Sequence, residues 1–201
     1  MAGRDEGVIK FDCVWNRGEG PPPSDIMAIN AWRTRCFEMG LVGQSSDGIG
    51  FGNLSVRVGA TPAYWITGSG TGGLPKLSRA HYTRVVEALP DRNRVVCEGP
   101  VRASSESMTH AVLYATIPTV QAVIHVHSAA LWQSFIHRLP TTPGDVAYGT
   151  PAMSRAVAEL AATAEGGVIV MGGHEDGLIA FGRTPDEAGE RLLALTVQEK
   201  G

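Results

Sequence analysis

What this chain has little of narrows its class before any motif is read. It carries three cysteines, Cys13, Cys36 and Cys97, an odd number spread far apart. That excludes the even, closely spaced pattern of a disulfide-bonded scaffold and fits reduced thiols in the cytoplasm. No window approaches about 18 uncharged apolar residues, so no membrane-spanning helix is expected. The start, MAGRDEGVIKFDCVW, lacks the basic-then-apolar order of a secretory leader, and a cytoplasmic location is expected. There is no basic block, and the formal net charge is -3, which argues against nucleic acid as a partner. Internal repeats are absent, and the one low-complexity stretch is GEGPPPSD, from Gly18 into a helix. What remains is 43% hydrophobic and 18% charged, the balance of a globular chain. Its 201 residues suffice for one domain with a sizeable core, residues 1–201, of which 1–23 form an N-terminal extension.

The elements interleave. Ser24 is placed to cap a helix from Asp25, with apolar residues at Ile29, Trp32, Cys36 and Phe37 and a stop at Gly40. GNLSVRV and AYWIT read as strands about a turn at Gly59 to Pro62, followed by the glycine-rich loop GSGTGGLPK. Ser78 is expected to cap a short helix reaching Glu87, ahead of the strand RVVCE. SSESMTHAVLYATI reads as helix, AVIHVH as strand, and AALWQSFIHR as helix. A helix from Pro151 to about Thr163 precedes the strands GVIVM and GLIAF, which HEDG joins tightly, and Thr184 caps a last helix. The expectation is one α/β domain with a mixed sheet between helical layers.

In the strand AVIHVH, side chains two apart share a face, so His125 and His127 point one way and Ile124 and Val126 the other. Two imidazoles on one face suit a metal ion, with His174 the best candidate for a third ligand. Two core histidines satisfied by hydrogen bonds are the alternative. His81 and His137 sit in bland contexts.

Glu106 and His110 are four apart on a helix and share a side. Ser104 and Ser105 lie at its N-terminus, where free N–H groups and the helix dipole favour a phosphate. A capping box, with serine capping and Glu106 bonding back, explains the same residues.

Together these motifs resemble the class II aldolase/adducin family, whose members include sugar-phosphate aldolases and epimerases. The resemblance runs from about Ala28 to Leu195 through GNLSVR, ITGSG, EGPVRASSE with His110 and Tyr114, IPTVQAVIHVHS and GGHEDGLIAFG. It implies a single three-layer α/β domain, with a mixed, mostly antiparallel central sheet flanked by helices. It implies that His125, His127 and His174 ligate a divalent metal, zinc first, and that Glu106 is the acid/base and a possible fourth ligand. Asn53, Thr67, Gly68, Ser104 and Ser105 fall on its phosphate-binding positions. The implied reaction is aldolase-type cleavage of a sugar-phosphate-like carbonyl compound through an enediolate, which the metal stabilises as a Lewis acid. Epimerisation or a methylthioribulose-phosphate-type dehydration would use the same site, and a non-enzymatic adducin-like module is disfavoured by the three histidines. A cyclic homotetramer with sites between subunits is also implied.

Several departures from the family accompany these matches. The segment between His127 and His174 is short and lacks the family's tyrosine-bearing stretch, Tyr148 being the nearest tyrosine there. Gly68 replaces a proline, and Gly50 a hydroxyl residue. Glu175 and Asp176 follow the third histidine, read as an Asp-Gly hairpin turn, with an extra carboxylate beside the metal as the alternative. The stretch Val8 to Trp15, apolar at Phe11, Cys13 and Trp15, could pair with a sheet edge and help cover the site.

Overall fold

In the computed structural model, which describes residues 8–164 and 167–199, strand β1 (Asp12–Arg17) leads into helix α1 (Pro23–Glu38). Then come β2 (Gly43–Gln44), β3 (Gly50–Phe51), β4 (Asn53–Arg57), β5 (Tyr64–Thr67), β6 (Tyr82–Leu89) and β7 (Arg94–Gly99). Helix α2 (Ser107–Thr116), β8 (Ala122–His127), α3 (Ala129–Phe135), α4 (Pro151–Ala161), β9 (Val168–Val170), β10 (Gly177–Gly182) and α5 (Pro185–Gln198) complete the chain. Eight strands form one sheet in the order β1-β7-β6-β5-β4-β8-β10-β9, and β2 and β3 pair separately. Among the described strands only the β1–β7 pair is parallel, so the sheet is mixed and mostly antiparallel.

Alternation along the strands sorts the core into two layers. Ile124 and Val126 of β8 pack with Ile29, Trp32, Leu131 and Leu192, from α1, α3 and α5. Val123 points the other way, among Met108, Leu113, Met153 and Val157 of α2 and α4. His125 and His127 are in phase with Val123, so they face the α2 side. The sheet is therefore dry on one face and interrupted by polar groups on the other.

Three local expectations are corrected. α1 begins at Pro23, not Asp25: proline suits a first turn whose N–H groups have no partner, and Ser24 lies inside the helix, where its hydroxyl meets Asp25 at 3.3 Å. Ser78 caps only a single 3₁₀ turn, Arg79–His81, and the chain then runs as β6. The Thr83, Val85 and Val86 β-branched residues favour a strand, and Tyr82, Thr83 and Val85 bury against the sheet neighbours. The β9–β10 connection is longer than an Asp-Gly hairpin: Val170 and Leu178 pair, and His174 folds back between them with its N–H on the Met171 carbonyl at 3.1 Å. Asp176 takes a positive φ of 67° in that turn.

The stretch before α1 joins the chain's own sheet. β1 pairs with β7 from Asp12↔Arg94 to Arg17↔Gly99, and Phe11 is buried in the core. Among the described residues no helix is long and apolar enough to cross a membrane.

Candidate metal centre and anion pocket

Three histidines converge at the C-terminal end of β8. β8 carries His125 and His127, and the β9–β10 turn brings back His174, so that one ring nitrogen of each lies within 4.8 Å of the others. His125 Nε2 and His127 Nε2 are 3.2 Å apart. His174 fits because Gly177, opposite His127 in the β10–β8 register, has no side chain. A Cβ there would lie 3.2 Å from the His174 ring and 3.0 Å from its carbonyl.

The protonation of His125 is set by its surroundings. Its Nδ1 lies 3.1 Å from the Leu178 carbonyl, which can only accept, so the hydrogen is on Nδ1 and the Nε2 lone pair faces the cluster. Burial holds its pKa well below the usual histidine range, and His127 and His174 add to that. A neutral imidazole with an inward lone pair is what a metal ligand requires.

Glu106 is 2% exposed, and its Oε1 lies 3.9 Å from His174 Nδ1. It sits at the N-cap of α2 but makes no capping bond; instead Thr109 donates to its Oε2 at 2.8 Å. The carboxylate is thus turned toward Thr109 and His174. Ser104 takes the local bonds: its Oγ accepts the Glu106 N–H at 3.4 Å, and its carbonyl accepts the Ser107 hydroxyl at 2.7 Å.

Three imidazoles beside a carboxylate form a donor set suited to a divalent cation. The cleft of about 560 Å³ that reaches His127 and His174 agrees: it is also lined by Asp47, Glu175 and Asp176 and, among the described residues, by no lysine or arginine. Tyr148 walls it, its ring stacked on His174 at 4.3 Å between centroids with a 21° interplanar angle. Lys10 sits over the Tyr148 ring at 3.9 Å.

A second, smaller pocket lies beside the first. Asn53, opposite His125 in the β4–β8 register, lines it with Gly68, Ser69, Gly70, Ser104 and Ser105. Asn53 Oδ1 is buried and has no hydrogen-bond partner among the described residues. Thr67 does not line the pocket, and its hydroxyl accepts the Leu54 N–H at 3.2 Å. The glycine at 68 has a packing reason: a Cβ there would collide with the Val101 side chain, while its N–H donates to the His81 carbonyl at 2.8 Å. Proline could not make that bond.

Sequence reasoning missed two supports. Thr109 is three residues after Glu106, so helical spacing could have found it. Arg33 gave no such signal. It is 1% exposed on α1 and donates to the carbonyls of Thr71 at 2.9 Å, Gly72 at 2.8 Å and Leu74, pinning the glycine-rich loop from behind.

Known proteins agree with this architecture. Residues 41–197 match the family described as Class II Aldolase and Adducin N-terminal domain. A methylthioribulose-1-phosphate dehydratase from Microcystis aeruginosa is 38% identical over 77 residues, covering 38% of this chain and 36% of that protein. The chain thus matches about a third of that relative's length. Among solved structures, an L-fuculose 1-phosphate aldolase superposes with a TM-score of 0.69 at 17% identity, over 90% of this chain and 85% of that one. The L-fuculose-1-phosphate aldolase of Thermus thermophilus does so with 0.64 at 22% identity, over 89% and 91%.

Proposed function

We propose a metal-dependent lyase acting on a small phosphorylated ketose, and the premise is family membership: the chain belongs to the class II aldolase and adducin family. The observation that carries the reading is the convergence of His125, His127 and His174 with Glu106 alongside.

In this reading the three histidines hold a divalent ion, zinc before others given three nitrogen ligands and an open side toward the cleft. Such an ion supplies Lewis acidity toward the carbonyl and adjacent hydroxyl oxygens of a substrate. Glu106 moves the proton, taking it from or giving it to the reacting centre, and Thr109 fixes the carboxylate through Oε2. Asn53, Gly68, Ser104 and Ser105 receive the phosphate, with Thr67 as the support behind them. Tyr148 holds the His174 ring face-on and closes one wall of the cleft. A neighbouring subunit of a homotetramer completes the exclusion of water.

Aldolase-type cleavage of a carbon–carbon bond is the first reading. Dehydration is the second, and the similarity to a methylthioribulose-1-phosphate dehydratase favours it specifically. Dehydration would take the proton from the carbon beside the carbonyl and expel the next carbon's hydroxyl as water, whereas aldol cleavage would take that hydroxyl's proton, break the carbon–carbon bond between the two and return a proton to the carbon beside the carbonyl. The test supplies zinc-loaded protein with L-fuculose 1-phosphate and with methylthioribulose 1-phosphate. Release of a free aldehyde marks the aldolase, and loss of water without fragmentation marks the dehydratase. Turnover of neither, by protein holding about one ion per chain, overturns both.

A further inference from the structure

Beside the histidine cluster runs a buried polar chain that the reaction above does not use. His110 Nδ1 lies 2.7 Å from Ser55 Oγ, and Ser55 Oγ lies 2.7 Å from Tyr114 Oη. Ser55 and His110 are 0% exposed and Tyr114 is 3% exposed. His110 Nε2 is buried and meets no hydrogen-bond partner among the described residues.

The chain's protons can be placed by counting. Burial pushes His110 down to about 3, so the imidazole is neutral and carries one ring proton. Burial pushes Tyr114 above the usual phenol range, so it keeps its own. If Tyr114 donates to Ser55 and Ser55 donates to Nδ1, both hydroxyl protons are used. The ring proton then sits on Nε2, and it alone lacks an acceptor within the chain. If Nδ1–H donates instead, a hydroxyl proton of Ser55 or Tyr114 is stranded in the core, and the Nε2 lone pair is unmatched as well. Stranding two buried polar atoms costs more than stranding one.

The chain also ties together two elements of the site. His110 lies one turn after Glu106 on the same face of α2. Ser55 lies two residues after Asn53 on the same face of β4, next to β8. Asn53 pairs with His125 and Ser55 with Val123, so the polar chain starts from the strand next to the histidines.

We propose that Ser55, backed by Tyr114, is a positioning residue that fixes His110 as the Nε2–H tautomer, so that the imidazole presents a donor on the Glu106 side of the site. A donor there complements a carboxylate or a negatively charged substrate oxygen, whereas a lone pair would repel either. The inference rests on the reading of Glu106 and the three histidines as the reaction centre.

The test uses the zinc-loaded full chain labelled with ¹⁵N-histidine, His110→Gln serving to assign the signal. The ring shifts should report Nε2–H in the wild type. Ser55→Ala removes the donor to Nδ1 and should release His110 into a mixture of tautomers, with metal content unchanged. Ser55→Thr keeps a hydroxyl and should restore Nε2–H. On whichever sugar phosphate is turned over, Ser55→Ala should lower kcat about tenfold or more with KM little changed. A purely structural role would lower thermal stability without moving the tautomer. Nδ1–H in the wild type, or an unmoved tautomer in Ser55→Ala, overturns the proposal; if Ser55→Ala does not fold, the wild-type measurement decides. If neither sugar phosphate is turned over, the functional reading has failed, and the tautomer measurement still settles this one.

Discussion

The histidine cluster and the glycine–serine pocket meet at Asn53, yet they are built in opposite ways. The cluster is made of side chains: three imidazoles and a carboxylate whose chemical identity is the site. The pocket is made largely of backbone, with Gly68 and Gly70 bringing main-chain groups to its wall and Ser104 and Ser105 completing it. A site of side chains is lost when one residue changes. A site of backbone is lost only when the loop moves, and here Arg33 ties that loop to α1.

The sharpest way to break the contrast is at His125. His125→Ala should abolish metal retention, from about one ion per chain to none by elemental analysis, with the fold kept. A variant that holds its ion would mean that the cluster is not the metal centre. Next in size is Glu106→Gln, expected to keep the metal and cut turnover by about 10²-fold or more. An unchanged rate would return Glu106 to a structural role in the first turn of α2.

The pocket should respond differently. Arg33→Met removes three loop anchors without touching the cluster. KM for a phosphorylated substrate should rise about tenfold, the scale of a lost charge-assisted hydrogen bond, while metal content stays the same. A matching rise for the unphosphorylated analogue would show that the loop does not read phosphate.

A further effect is on pH-dependent stability. His110 has its folded pKa near 3, against about 6.5 unfolded. Below about pH 6.5 the unfolded chain takes up a proton that the buried ring refuses, so full stability holds above that pH and is lost as pH falls toward about 3. The slope is about 1.4 kcal/mol per pH unit, and His125 adds to it in the same direction. Urea midpoints of the metal-free protein should fall accordingly, and His110→Gln should flatten the dependence. A slope unchanged in that variant would assign the acid sensitivity elsewhere.

The same contrast explains what could be read from the chain alone. The faces of AVIHVH follow from alternation, and the strand runs from Ala122 to His127 as its pattern implies. His174 was legible as a third imidazole at a strand end. Ser78 misled because a good cap precedes only one turn, and the β-branched run after it decides for strand. The Arg33 anchors could not be read: they are bonds to main-chain carbonyls some forty residues away, and no side-chain pattern encodes them. Nor could the support for His125, which is a carbonyl on the neighbouring strand.

That carbonyl has an evolutionary consequence. Many ring orientations in proteins depend on a second side chain, which a single codon change can delete. The Leu178 oxygen belongs to the main chain, so every residue that could be encoded at 178 would still offer it. Drift at that position is free to tune packing on the dry face without disarming the imidazole across the ladder. Losing the orientation would take a shift in strand register, a far rarer event than a substitution.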